Sequence, residues 1–325
     1  MAAPLRLGTR GSDLARTQSG QAAALLEASG ESVEMVVVRT SGDRLAEVSL
    51  AKVGGKGLFI KELEEALLAD EIDLAIHSMK DVPAALPEGF ALGAVSARVD
   101  ERDVLVCSRA LADAPEGLAA LPRGARVGTG SLRRRAQLVA ARPDLDVVAI
   151  RGNVDTRLGL LETGGFDAVV LAAAGIHRLG LEIRVHPLPA ATFLPAAGQG
   201  ILAVEIRADD EATRRRVAPL HDPMVARFAS AERAFVHALE ASCTAPVAAW
   251  CRMEGEQLRC DGLVASLDGR RTLRETLTAA PTDAEGLGRE VAARLLTQGA
   301  AEILAEVERE ICCLLYTSPS PRDRG

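Results

Sequence analysis

The chain has 325 residues, 48% of them apolar and 26% charged, with a formal net charge of −7, the make-up of a globular protein large enough for two or three domains. No apolar run reaches the roughly 20 residues needed to cross a bilayer, and no basic-then-apolar leader opens the chain, so a cytoplasmic protein is expected. Net acidity argues against a polyanion-binding surface and the 2% aromatic content against base stacking, while the six cysteines form no Cys-x-x-Cys pair and no His-Glu-x-x-His occurs, leaving no metal motif.

A short apolar run predicts a strand over 5–8, after which Gly8-Thr9-Arg10-Gly11-Ser12 turns into a helix over 12–28. A strand over 34–38 follows. The stretch from Leu50 to Phe59 is glycine-rich and basic and leads into a helix over 57–69. It is not a phosphate-binding P-loop, because Gly57 rather than Ser or Thr follows Lys56 and the first glycine is missing. It reads as a mobile lid, with Phe59 either a core anchor or a ring over a ligand. A buried strand over 72–76 runs into His77-Ser78-Met79-Lys80-Asp81-Val82-Pro83, which sets a cation beside a carboxylate at a strand end. Such a pair taken alone is usually a surface feature.

The strand over 126–128 passes through Gly128-Thr129-Gly130-Ser131 into a helix over 131–141, and the strand over 147–150 passes through Arg151 into a helix over 153–162. Strands over 168–172 and 201–206 follow. In the last third, apolar residues at helical spacing (Phe228, Ala231, Phe235, Leu239, then Ile303, Leu304, Val307) predict helices over 227–240 and 300–310, with extended runs over 258–264 and 271–277. The alternation predicts parallel sheets in α/β layers, followed by a smaller α+β unit.

The two glycine turns form an internal repeat, each following a strand and opening a helix with a serine suited to an N-cap. Helix N-termini also bind anions, although ordinary capping needs no ligand. Between Leu121 and Arg157 stand Arg123, Arg126, Arg133, Arg134, Arg135, Arg142, Arg151 and Arg157, opposed within that window only by Asp144, Asp146 and Asp155. A solvated basic face and a site for a small polyanion both account for such a cluster. Arg133 and Arg134 lie in a first helical turn, where the macrodipole disfavours cations, and Arg10 and Arg151 occupy comparable turns. A local rule broken without local benefit points to a carboxylate ligand held by guanidinium groups. Cys243, in Ala241-Ser242-Cys243-Thr244-Ala245-Pro246, is a loop thiol of the kind that can act as a nucleophile, though most single cysteines do not.

Together these stretches resemble the porphobilinogen deaminase (hydroxymethylbilane synthase) family, from about Leu5 to Glu306. The likeness is carried by Thr9-Arg10-x-Ser12, residues 50–59 and 77–83, Val127-Gly128-Thr129 through Arg134, Arg151-Gly152-Asn153-Val154, Leu194-Pro195-x-x-Gly198-Gln199-Gly200, and Cys243 before Pro246. The resemblance implies a cytoplasmic, monomeric transferase of haem and tetrapyrrole biosynthesis. It condenses four porphobilinogen molecules into hydroxymethylbilane, with loss of ammonia, on a dipyrromethane cofactor joined by a thioether to Cys243. It implies Asp81 as the catalytic carboxylate, and Lys80, Thr129, Ser131, Arg133, Arg134 and Arg151 as cofactor-binding residues. Arg10, Ser12, Phe59, Arg151, Arg157 and Gln199 would meet substrate or the growing oligopyrrole, and Lys52, Gly54, Gly55, Lys56 and Gly57 would form the lid.

The implied fold is two α/β domains of type II periplasmic-binding-protein kind plus a small α+β domain. The boundaries are 1–98 with 198–218, then 99–197, then 219–311 carrying the cysteine; residues 312–325 match nothing in the family and read as a disordered or foreign tail. No metal, nucleotide, nucleic acid or membrane partner is implied. Two departures stand out: Ala241-Ser242 replaces the family's usual Gly-Gly before the cysteine, and Gly130 stands where serine is common, removing one anion donor. Arg135 is expected at the surface. A carboxylate-binding clamp with a passive thiol is the rival reading, and an arginine-based nucleic-acid binder a third.

Overall fold

The computed structural model describes residues 3–38, 60–111, 115–242 and 245–316. Its strands are β1 (Leu5–Thr9), β2 (Val33–Val37), β3 (Leu74–Ser78), β4 (Phe90–Val95), β5 (Asp103–Cys107), β6 (Arg126–Gly128), β7 (Asp146–Val148), β8 (Ala168–Ala172), β9 (His186–Leu188), β10 (Leu202–Arg207), β11 (Val247–Glu254), β12 (Gln257–Ala265) and β13 (Thr272–Ala279). Its α-helices are α1 (Asp13–Ala28), α2 (Lys61–Leu68), α3 (Leu132–Ala141), α4 (Val154–Glu162), α5 (Ala173–Arg178), α6 (Glu211–Val217), α7 (Pro223–Ala238), α8 (Ala284–Thr297) and α9 (Ala300–Tyr316).

Two sheets share one plan. In the first, ordered β2-β1-β3-β10-β4, β1 is parallel to both neighbours, while β10 runs antiparallel to β3 and β4. In the second, ordered β7-β6-β8-β5-β9, β6 is parallel to both neighbours and β5 runs antiparallel to β8 and β9. The repeated glycine turns therefore close equivalent strands, β1 and β6, each central to a parallel trio. The third sheet, β11-β12-β13, is wholly antiparallel. The chain is thus α/β, with two five-stranded α/β units of matching strand plan and a small α+β unit.

The sheets are mixed rather than parallel as expected. β10 enters the first sheet directly from a turn at 198–201 that leaves the second unit, so no βαβ crossover constrains its direction. Strands β4, β5, β9 and β11 escape the sequence pattern for local reasons. β5 opens on a buried charge, Asp103; β9 has only three residues, with Pro187 on a sheet edge; and β11 begins Val-Ala-Ala. Helix α9 continues to Tyr316, past the tail boundary at 312.

Each unit has its own core. Leu5, Leu7, Leu26, Leu74, Val204 and Ile206 fill the first; Leu105, Val127, Leu138 and Val170 the second; Phe235, Leu258, Val291 and Leu295 the third. Each such side chain contributes about 1.5–3 kcal/mol on burial. Ala136 and Leu194 of the second unit pack on Ala248, Leu263 and Ala265 of the third. Glu232 of α7, fully buried, accepts from Arg98 Nη2 at 2.6 and 2.8 Å, from Gly198 N at 2.6 Å and from Cys251 N at 2.7 Å. One carboxylate thereby ties the first unit, the returning crossover and the third sheet together. No helix among the described residues is long and apolar enough to cross a membrane.

Candidate active site

Strand β3 is buried along Leu74–His77 and ends in a 3-10 turn, Met79–Asp81, before Pro83. The turn points its three side chains differently: Met79 into the core, Lys80 half-buried, Asp81 exposed. Met79 N donates to Ile201 O at 3.0 Å. Gly198 backs the turn with φ +74°, and a Cβ there would lie 2.5 Å from Met79 Cγ, so both backbone angle and space require glycine. Lys80 Nζ donates to Gln199 Oε1 at 3.3 Å. Gln199, itself buried, donates through Nε2 to Glu101 O at 2.7 Å and to Asp103 Oδ1 at 3.0 Å.

Asp103 begins β5 with no exposed surface. Arg133 Nη1 donates to its Oδ2 at 2.7 Å and also to Leu194 O at 2.6 Å. Arg134 reaches Oδ1 through Nε at 2.9 Å and Nη2 at 2.8 Å, and donates Nη1 to Val170 O at 2.9 Å. Both arginines leave the first turn of α3, whose N-cap Ser131 accepts from Arg134 N at 3.4 Å. Thr129 Oγ1 in turn accepts from Ser131 N at 3.2 Å. The two cations that α3's dipole disfavours are thus held by an acid 30 residues upstream, outside the window in which the sequence offered only three aspartates.

That corrects the picture of one uniform cluster. Arg142 pairs with Asp144 at 2.7 Å and Arg126 with Asp146 at 3.4 Å, away from this turn in the chain. Arg135, expected at the surface, is half-buried and donates to Val147 O at 2.8 Å. Arg133 and Arg134 are 4% and 5% exposed, so they are not part of an open basic face. Arg157, half-buried on α4, donates Nε to Gly152 O at 2.9 Å and feels both Arg134 and Asp81. Gly130 lies beside it: a Cβ there would stand 2.6 Å from Ile150 O, so the family's usual serine does not fit this backbone. Arg151 is exposed.

In the first unit, Ser12 N-caps α1 and accepts from Ala15 N at 3.4 Å, with half-buried Arg10 in the preceding turn. Gln18 of α1 donates to Ser78 Oγ at 3.0 Å, linking α1 to the strand that leads to Lys80. Cys243, Phe59, Lys52, Gly54, Gly55, Lys56 and Gly57 lie outside the described residues. Asp103 and Arg178 are among the buried charges that the sequence reading does not single out. Asp103 hides in an Arg-Asp dipeptide before an apolar run. Arg178, 8% exposed on α5, donates Nη2 to Gly200 O at 2.8 Å, and burial lowers its guanidinium to about 10.

The electrostatics follow from this packing. Burial and the neighbouring Arg134 bring the Lys80 ammonium down to about 8, against the upward pull of Asp81 and Asp103. Burial pushes the Asp103 carboxyl up, but Arg133 and Arg134 override it and hold the group well below the carboxylate range. Burial, with repulsion from Arg133, lowers Arg134 against the pull of Asp103, and burial, then repulsion from Arg134, lowers Arg157. Two guanidinium groups sharing one buried carboxylate, with Lys80 on a neutral amide, leave positive charge over for a carboxylate ligand. Asp81 stands at its solvent side, able to accept or give protons.

A family model described as "Porphobilinogen deaminase, dipyromethane cofactor binding domain" matches residues 5–215, and one described as "Porphobilinogen deaminase, C-terminal domain" matches residues 226–297. A porphobilinogen deaminase of Syntrophobacter fumaroxidans is 49% identical over 308 residues, covering 94% of this chain and 98% of that protein. One of Moorella thermoacetica is 49% identical over 311 residues, covering 94% and 97%. Among solved structures, the chain is similar to the methionine binding protein MetQ, with a TM-score of 0.41 at 13% identity over 70% of this chain and 93% of that one.

Proposed function

The chain belongs to the porphobilinogen deaminase family, and from that premise we propose how its own residues carry the reaction. It is a hydroxymethylbilane synthase, a transferase of tetrapyrrole biosynthesis that joins porphobilinogen units on a dipyrromethane cofactor. When bound, that cofactor supplies a nucleophilic pyrrole carbon to which each new unit is added.

The donor set fits a ligand bearing acetate and propionate groups. Lys80 has a neutral partner, Arg157 a carbonyl, and Arg133 and Arg134 share a single carboxylate. We assign Lys80, Thr129, Ser131, Arg133, Arg134 and Arg151 to the cofactor's carboxylates, and Cys243 to its thioether. Arg10, Ser12, Arg157 and Gln199, with Phe59 of the lid, serve the incoming unit and the growing chain. Asp81 protonates the leaving amine, stabilises the cationic pyrrole that remains and accepts the α-proton after the new bond forms. The observation that carries this reading is the Lys80–Asp81 turn, an exposed carboxylate beside a half-buried ammonium, within electrostatic reach of Arg134 and Arg157. Binding of a carboxylate alone gains nothing from a second carboxylate at that place, which disfavours the passive clamp. We take the protein as a cytoplasmic monomer with its domains divided at 98/99, 197/198 and 218/219, and without nucleic-acid partners.

Intact mass provides the test. Freshly prepared active protein is expected to exceed its sequence mass by two linked pyrroles, and Cys243→Ser to lose that increment together with turnover. An active preparation of unmodified mass would rule out the attachment.

A further inference from the structure

We propose that Asp103 is a positioning residue for the reaction: one buried carboxylate that sets the forks of Arg133 and Arg134 and, through Gln199, holds the Lys80 ammonium in place across the two α/β units. The proposal rests on the assignment of those cations to ligand carboxylates.

Both oxygens of Asp103 are committed. Oδ2 takes Arg133; Oδ1 takes Arg134 and the Gln199 amide. A buried carboxylate needs one cation for neutrality, so a second guanidinium and an amide on the same group do more than cancel its charge. Together with Leu194 O, Val170 O and Glu101 O, which each hold one of the three side chains, they fix the orientation of both guanidinium groups and the amide, and they leave a surplus positive charge facing Lys80 and Asp81. The amide's orientation is also determined. Its Nε2 donates to both Asp103 Oδ1 and Glu101 O, so the acceptor Oε1 must face the other way, toward Lys80 Nζ. Asp103 thus dictates which face of Gln199 the lysine meets. The link spans β5 of the second unit, the crossover at Gln199 and the turn after β3 of the first, so ligand-holding groups from both units keep one register. The charged groups facing Lys80 are Asp81 on its own turn, Arg133 and Arg134 from α3, and Asp103 from β5.

The test uses cofactor-loaded protein with Asp103→Asn and Gln199→Met. Competitive acetylation with peptide mass mapping follows the titration of Lys80, alongside turnover and intact mass. Removing the Asp103 charge, or the amide acceptor, destabilises the ammonium, so both variants should move the midpoint of Lys80 labelling to lower pH by about half a unit or more. The alkaline limb of turnover should move the same way. Turnover of Asp103→Asn should fall roughly 10- to 100-fold, with KM changing much less. A folded Asp103→Asn with native labelling and turnover overturns the proposal. Should that variant not fold, Gln199→Met decides alone, since it leaves the Asp103–arginine pairs intact, and an unmoved Lys80 midpoint there overturns the link. If instead the arginines hold no cofactor, Arg133→Leu keeps full occupancy, a result independent of the Lys80 titration.

Discussion

Met79, Lys80 and Asp81 are consecutive, yet the turn sends one to the core, one to an amide and one to solvent. That division separates their expected mutational effects. Asp81 is exposed, so Asp81→Ala should keep the fold and the bound cofactor while removing nearly all turnover; rapid-quench measurement of ammonia release checks this, and near-native rates would strip Asp81 of its role. Arg133→Leu deletes one of the two guanidiniums on Asp103 and leaves Arg134 to hold a buried carboxylate. Because Arg134 still neutralises that carboxylate, destabilisation of about 1–3 kcal/mol by urea unfolding, from the lost charged hydrogen bond, with impaired cofactor retention by intact mass, is expected. Lys80 gives two opposite pH trends. Its charge is present below about 8 and lost as pH rises through that value, so turnover should decline on the alkaline side. The folded chain then binds fewer protons than the unfolded one from about 8 up to the ordinary lysine value of roughly 10.4, so this group's contribution to stability rises with pH over the same window. At this scale the sequence disclosed motif residues such as Lys80 and Asp81 because their neighbours in the chain identify them. Asp103 was illegible because its partners sit 30, 31 and 96 residues away and only the folded sheet brings them together.

Helix starts and glycine turns place these groups. Ser12, Ser131 and Asn153 cap α1, α3 and α4, each hydroxyl or amide oxygen accepting from a backbone N–H three residues on. These starts were legible because capping chemistry is local. Strand direction was not, since β10 and β5 take their orientation from distant neighbours. The turn at 198–200 shows how tightly an element can be specified: Gly200 has φ +88°, and a Cβ there would sit 2.7 Å from Val99 O. Gly198→Ala should therefore cost at least about 1–2 kcal/mol from the left-handed backbone alone, and more from the contact with Met79. Because Met79 leads into Lys80 and Asp81, its turnover should fall further than its melting temperature suggests; calorimetry set beside steady-state rates checks the disparity.

Across the molecule, the three units are joined by a few charged links as well as by apolar contact. Glu232 is one of them, serving Arg98, Gly198 and Cys251 at once. Glu232→Ala strands a buried guanidinium and two amides, with an expected loss of about 3–5 kcal/mol. Loosened coupling should also let the third unit unfold in urea apart from the rest, as followed by fluorescence of Trp250 in the third sheet against far-ultraviolet circular dichroism. The α/β class and the smaller last unit were legible from alternation and helical spacing, while the shared plan of the two large sheets showed only as a short Gly-Thr…Gly-Ser echo at Gly8–Ser12 and Gly128–Ser131.

The placement of β10 also bears on how the chain is made. β4 pairs with nothing in its sheet except β10, and β3 has β10 on its far side. On a ribosome, about a hundred residues separate the emergence of β4 from that of β10, and throughout that interval the nascent first unit carries an open edge beside an unseated strand. The whole second unit is therefore synthesised while the first remains unfinished, and nascent-chain protection near β3 should appear only once residues beyond Arg207 have left the exit tunnel.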